Sequence, residues 1–415
     1  ASNPISGSKY MSGSKYMSGA LKIDLISEKN MTSLRDSIQR LFSKVKPLPS
    51  GTYHYQAPGS DPRNYRLHLR LEPDGRGILI INASTVLHLN ITAAEFAFYL
   101  VQNLPEEQAL DNIVARFRID REQARQDYET FVERIDTLVS TPDLDPVTFL
   151  DFDLQAPFSG DISAPYRLDC ALTYSLREPD TSEAAPTDRV ERELTTAEWI
   201  NILDRAWEVG IPHVVFTGGE PTLREDIVEL VAHAESNDQV TGLISDGLRF
   251  ADQEYLDELL QTGLDHLMMV FQKGNQTAWQ ALENVLAADL FVAVHLTVTE
   301  YNREELAGLT EKLAEMGVKA ISLSTSESAL SEELQNLREH VARLDLELVW
   351  NLPVPYSATN PVALETEQLE EPEGAGRAWL YIEPDGDVLP AQGINRVLGN
   401  FLSDPWEKIW PASQG

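Results

Sequence analysis

The chain has 415 residues, 42% of them hydrophobic, a formal net charge of -33 and one cysteine, Cys170. The length allows two or three domains, and the charge argues against nucleic acid and anionic membranes, which select basic surfaces. No apolar run reaches the roughly 18 to 20 residues of a membrane-spanning helix, no secretory h-region opens the chain, and a lone cysteine excludes both an intrachain disulfide and any zinc or iron–sulfur site built on several thiolates of this chain. A cytoplasmic location follows from these features.

In chain order, residues 1–26 read as a low-complexity tail around the direct repeat of Ser-Gly-Ser-Lys-Tyr-Met at 6–11 and 12–17. Residues 27–50 carry helical spacing through Leu34, Ile38, Leu41, Phe42 and Val45, then the breaker Pro47-Leu48-Pro49-Ser50-Gly51. Residues 51–140 read as strands followed by three helices. Tyr65–Leu71 alternates, Pro73-Asp74-Gly75 turns, and Gly77–Asn82 and Val86–Asn90 follow. Thr92 and Glu95 stand at capping-box spacing, and further helices are expected over Leu104–Phe117 and Asp120–Leu138. Residues 141–165, rich in Pro, Asp and Ser, read as a linker.

From 166 to 352 strand and helix alternate. Strands are expected at Tyr166–Ser175, Val214–Phe216, Val240–Ser245, His266–Phe271, Phe291–Val298 and Ala320–Leu323. Helices are expected at Thr195–Val209, Arg224–Ala234, Asp252–Gln261, Thr277–Ala288, Glu304–Met316 and Ser331–Leu344, with an extra strand at Glu347–Trp350. The order predicts an α/β fold whose parallel sheet curves into a (β/α)6 partial TIM barrel, with its site at the C-terminal ends of the strands. Residues 353–415 form a small extension, a hairpin about Asp385-Gly386 and a short aromatic helix at Trp406–Trp410.

One stretch stands out. Val214-Val215-Phe216-Thr217-Gly218-Gly219-Glu220-Pro221 is a buried strand, a glycine turn and a carboxylate at the strand end. It reads either as an ordinary turn or as a ligand site in which Glu220 holds an ammonium or ribose group. Six βα units with Thr-Gly-Gly-Glu-Pro after the second strand resemble the radical SAM superfamily. Residues 51–140, through Val86–Ala97 and the helix at Asp120–Asp127, resemble the PqqD-like peptide-recognition domain (RiPP recognition element). Residues 353–415, through Pro384-Asp385-Gly386-Asp387-Val388-Leu389-Pro390, resemble the SPASM/twitch extension. The whole order resembles peptide-maturing radical SAM enzymes.

The resemblance implies that a peptide or protein segment adds a strand to the sheet of residues 51–140. It implies that Gly218, Gly219, Glu220 and Pro221 frame S-adenosylmethionine, with Glu220 accepting from its amino group. Ser245 would lie at the polar third-strand position and Gln272 near the ribose. It also requires C-x3-C-x2-C after the first strand, where three thiolates hold a cluster. Placed near Leu176, that register meets Leu176, Asp180 and Glu183; placed at Cys170, it meets Tyr174 and Arg177. Ala391 stands where an auxiliary-cluster cysteine is common. No [4Fe-4S] cluster, no metal ligand and no catalytic residue is therefore expected. Cys170 reads as a buried structural thiol, His266 and His295 as satisfied core histidines, and the acidic loop around Glu178, Asp180 and Glu183 as solvated. Three functions stay open: a cluster-free pseudoenzyme that binds a peptide, an enzyme using S-adenosylmethionine or another nucleotide without a cluster, and a structural subunit forming a homo-oligomer.

Overall fold

The structure is a computed structural model that describes residues 46–63, 65–82, 85–141, 162–177, 184–325, 327–362 and 371–410, and the backbone of 20–23 and 153–155. The helix expected at 27–50 falls, up to Val45, outside the described residues, as do Glu178, Asp180 and Glu183.

Two sheets organise the chain. The first contains β1 (Ala20–Ile23), β2 (Gly51–Gln56), β3 (Arg66–Leu71), β4 (Gly77–Ile81), β5 (Thr85–Leu89) and β6 (Asp153–Gln155), in the order β2-β3-β4-β5-β1-β6. β2 to β5 form an antiparallel meander, with His54 opposite His68 and Leu79 opposite Leu87. The helices Ile91–Val101, Glu106–Phe117 and Arg121–Ser140 cover one face and bury Leu69, Leu79, Leu87, Phe96, Ile113 and Phe131 between them. The first of these helices starts differently from the expected Thr92/Glu95 box. Asn90 caps it, its side chain accepting from the Thr92 and Ala93 amides, while Glu95 is buried against Tyr99 and Arg116. An Asn beats Thr at this position because its carbonyl reaches two orphan amides at once. Asp120 caps the third helix as its sequence suggests. β1 lies inside the stretch read as a tail and β6 inside the stretch read as a linker; each is a strand because it finds a pairing edge in this sheet.

The second sheet has ten strands, and its parallel part is β7 (Arg167–Thr173), β8 (His213–Gly218), β9 (Val240–Ser245), β10 (His266–Val270), β11 (Phe291–Val298), β12 (Ala320–Thr325) and β13 (Glu347–Val349). Six helices return between them: Thr196–Glu208, Ile227–Ser236, Gln253–Leu260, Gln276–Leu286, Leu306–Glu315 and Ser331–Arg343. β7 does not pair with β13, so the barrel is partial, and the expected fold class holds. Period two decides the two faces. Leu168, Cys170, Leu172, Val214, Phe216 and Leu243 pack on the helices. Val215, Ile244, Met268, Ala293, Ala320 and Val349 pack on one another on the inner face. The last strands, β14 (Trp379–Ile382), β15 (Asp387–Leu389) and β16 (Gly399–Asn400), extend the same sheet, β14 lying parallel to β7. Gly386 makes the turn at φ 92, and the helix Trp406–Ile409 ends the described chain.

The first sheet rests on the N-terminal ends of the barrel strands. Arg66 binds Glu235 at 2.7 Å and Asp265 at 3.1 Å, and Arg70 donates to the Gly210 carbonyl at 3.0 Å. His68 Nε2 lies 2.7 Å from the Asp238 carbonyl. Beside these polar contacts Ile78, Ile80 and Val86 pack on Tyr166, Trp379 and Ala391.

Candidate functional site

β8 ends in the glycine turn. At Gly218, φ is 128, and a Cβ there would stand 2.2 Å from the Thr173 carbonyl oxygen; at Gly219 it would stand 2.4 Å from that of Ser175. The same carbonyls accept from the Gly219 and Glu220 amides at 2.8 and 2.9 Å. Both glycines are therefore demanded by the end of the neighbouring strand β7, which leaves no room for a side chain. Pro221 opens the short 3-10 turn Pro221–Leu223 at a position where its missing N–H costs nothing.

The turn fixes the Glu220 carboxylate, which is 3% exposed. One oxygen accepts from the Thr222 amide at 2.9 Å, from the Thr222 hydroxyl, and from Ser245 Oγ at 2.8 Å; the other accepts from the Asp246 amide at 2.6 Å. Ser245 in turn accepts from the Gly247 amide at 3.0 Å, and Asp246 Oδ1 from the Leu248 amide at 2.9 Å. Burial and the nearby Asp246 carboxylate push the Glu220 pKa up to about 7, against the hydrogen bonds from Thr222 and Asp246.

A cation of the chain itself stands at this cluster. Arg177 donates through Nε to Asp246 Oδ2 and through Nη2 to Thr222 Oγ1, both at 2.7 Å, and Nη2 lies 4.0 Å from Glu220 Oε1. Arg249 holds the turn from outside by donating to the Thr222 carbonyl at 2.7 Å. Gly218, Gly219, Glu220, Pro221 and Ser245 lie together at this turn. Gln272 does not join them: it is exposed in the turn after β10, where its carbonyl accepts from the Asn275 amide at 2.9 Å. The sequence reading missed Thr222, the Asp246 amide and Arg177. The Asp-Gly turn chemistry of Ser245-Asp246-Gly247 signalled the second, and no pattern in the sequence pairs Arg177 with its partners.

The cluster positions are filled with other chemistry. Cys170 is fully buried with Trp199, Phe216 and Leu230 on the helix side of β7, so its sulfur faces away from the inner face, and burial holds the thiol well above its ordinary pKa. Tyr174 is buried with Ala171, Tyr356, Tyr381 and Leu389, with Leu176 packed against them. Its hydroxyl donates to Glu383 at 2.9 Å, and Arg189 pairs with the same carboxylate at 2.8 Å. Ala391 is part of the apolar contact with Ile78, Ile80 and Val86. Among the described residues no group of three or more His, Cys, Asp and Glu is arranged to hold a metal ion. The residues present do not fit the three-thiolate cluster of the resembling family.

Other groups lie along and over the inner face. Past the barrel, the Tyr356 amide donates to the Gly218 carbonyl at 3.0 Å and its ring meets Tyr174 edge-on at 5.3 Å, so residues 353–362 run over the end of β8. His295 lies between Ser322 and Ser324, each at 3.0 Å, and His266 lies 2.8 Å from His213. Both are buried histidines held by burial well below the usual imidazole range, down to about 4. The hydroxyl of Thr217, buried on the inner face two residues before Gly219, has no hydrogen-bond partner among the described residues.

Residues 170–319 match the model of the radical SAM superfamily. The chain is 27% identical over 282 residues to the PqqA peptide cyclase of Granulibacter bethesdensis, covering 60% of this chain and 73% of that protein. It is 28% identical over 295 residues to that of Methylorubrum populi, covering 61% and 75%. In fold it is similar to SuiB of Streptococcus suis bound to S-adenosylmethionine, with a TM-score of 0.53 at 18% identity over 83% of this chain and 88% of that one. The same protein bound to its precursor peptide SuiA matches with a TM-score of 0.53 at 16% identity, over 86% and 88%. Residues 170–319 are thus similar to a radical SAM domain, in a chain whose one cysteine is Cys170.

Proposed function

We propose that the protein is a cluster-free relative of peptide-maturing radical SAM enzymes that acts by binding. Its residues 51–140, read as a PqqD-like domain, take an extended peptide or protein segment, and its barrel serves as the scaffold. The observation that carries this reading is the orientation of Cys170: the single thiol packs among helices, and the neighbouring positions are Tyr174, Leu176 and Arg177. The relatives support the peptide context, since they are peptide cyclases and a protein that binds a precursor peptide. Anaerobic reconstitution with iron and sulfide is expected to leave the chain without a stoichiometric cluster, and one cluster per chain would overturn the reading. A peptide or protein partner is expected to co-purify with the intact chain and to be lost on deletion of residues 52–140.

A second reading keeps a small-molecule pocket beside Glu220, for S-adenosylmethionine or another nucleotide bearing an ammonium group. The unpartnered buried hydroxyl of Thr217 near the Glu220 turn favours it. In that reading Glu220, Ser245 and Asp246 bind and orient the ammonium end, which would take the place of Arg177. Titration calorimetry with S-adenosylmethionine on the native chain and Glu220→Ala decides it: heat that disappears in the variant supports a retained pocket.

A further inference from the structure

The first sheet has a strand position that its meander does not fill. β2 to β5 pair as antiparallel neighbours in sequence order, which leaves the outer edge of β5 as a row of open backbone donors and acceptors. Ala20–Ile23 takes that edge, parallel to β5, with Ala20 opposite Val86 and Ile23 opposite Leu89. β6 then closes the far side, antiparallel, with Ala20 opposite Gln155 and Lys22 opposite Asp153. A parallel neighbour cannot be delivered by a tight hairpin, and residues 24–50 separate β1 from the meander in sequence.

Charge points to the same pairing. Residues 1–50 hold eight Lys and Arg against three Asp and Glu, a net charge of +5, in a chain of -33, so residues 51–415 carry -38. The stretch 141–155 that ends in β6 contains Asp143, Asp145, Asp151 and Asp153 and no Lys or Arg. Lys22 stands at the register position between His88 and Asp153. Main-chain hydrogen bonds supply most of the affinity in strand addition, so this seat accepts an extended segment from another chain by the same chemistry.

We infer that residues 20–23 are a tethered occupant of the strand seat between β5 and β6, and that an extended, basic peptide binds there in trans only by displacing them. The inference rests on the peptide-binding reading of residues 51–140. The covalent link to the rest of the chain holds the segment at an effective concentration on the order of 1 mM, so a free peptide with a Kd on the order of 10 μM, matched by the segment's own affinity, is weakened about 100-fold by the competition.

The test uses the full chain and a fluorescent synthetic peptide spanning residues 12–30. In Leu21→Pro/Lys22→Pro, which removes successive ladder donors and so breaks pairing on both sides, anisotropy is expected to show binding at least about tenfold tighter than in the native chain. In Lys22→Cys/His88→Cys, a short thiol crosslinker is expected to join the two positions within one chain, free of background from buried Cys170, and to suppress peptide binding. Equal binding by the native and double-proline chains, binding by neither, or no crosslink overturns the inference. A co-purifying partner that is lost on deleting residues 52–140 but indifferent to the proline substitutions sinks this inference alone and leaves the peptide-binding reading standing.

Discussion

The two ends of the barrel are built to different purposes. At the N-terminal ends of the strands, Arg66, His68 and Arg70 of β3 dock on Glu235, Asp265, Asp238 and Gly210, beside the apolar contact of Ile78, Ile80 and Val86 with Trp379 and Ala391. At the C-terminal ends, where parallel-barrel folds put their chemistry, the Glu220 carboxylate is saturated by Thr222, Ser245 and Asp246, and the cation beside it is Arg177. One end joins two parts of the chain, and the other satisfies itself. The positions from which the family draws its cysteines follow the same division. Ala391 belongs to the joining end, and Tyr174 and Leu176 to the aromatic packing of the closed end. Tyr174, Leu176 and Ala391 are thus each held in apolar packing.

The largest effect is expected from breaking the closed end at its glycine. Gly218→Ala places a Cβ against the Thr173 carbonyl at a φ of 128 and is expected to cost on the order of 4 kcal/mol, seen as a large loss in thermal midpoint or in soluble yield. A variant that melts like the native chain would show that the β7 end yields freely. Breaking the joining end is expected to cost less. Arg66→Met leaves Glu235 and Asp265 without their cation and is expected to lower stability by about 3 kcal/mol at pH 8. The loss shrinks at pH 5, because burial raises Glu235 to about 7 and a protonated carboxyl needs no partner. A pH-independent loss in urea titrations would contradict that account.

Glu220 gives a finer comparison. Its raised pKa means that the folded chain keeps a proton which the unfolded chain has released between about 4.5 and 7. Its contribution to stability therefore falls as pH rises through that window, by up to about 3 kcal/mol. Glu220→Gln lacks this slope, so the variant is expected to gain on the native chain between pH 5 and pH 8. The smallest effect on stability belongs to Arg177→Ala, under about 1 kcal/mol, since the guanidinium is 30% exposed. Its use is in binding: the substitution leaves Asp246 and Glu220 facing an open position, and S-adenosylmethionine is expected to bind it more tightly than the native chain in calorimetry. Unchanged heats would remove the second reading.

The alternation of strands and helices after Tyr166 was legible because the parallel strands are buried on both faces and the helices keep a clear apolar stripe. The Glu220 turn was legible because its glycines sit between an apolar strand and a proline. Arg177 was not, since its partners Thr222 and Asp246 come from the ends of two other strands and only the fold brings them together. β1 was hidden for a related reason: Ala-Leu-Lys-Ile is too short to announce a strand, and it becomes one by pairing with β5 and β6. Asn90 displaced the expected cap because Thr92 falls inside the helix, where its own amide needs an acceptor.

β7 is buried along its whole length, and its outer neighbour is β14, which lies more than two hundred residues further on. During synthesis at roughly 5–20 residues per second, the apolar edge of Arg167–Thr173 waits on the order of 10–40 s for Trp379–Ile382 to emerge. For that interval β7 is the edge strand of the parallel sheet, with its backbone donors and acceptors open to pairing. The C-terminal hairpin is thus also a late guard against mispairing, and a ribosome stalled before Trp379 leaves behind a chain primed to aggregate.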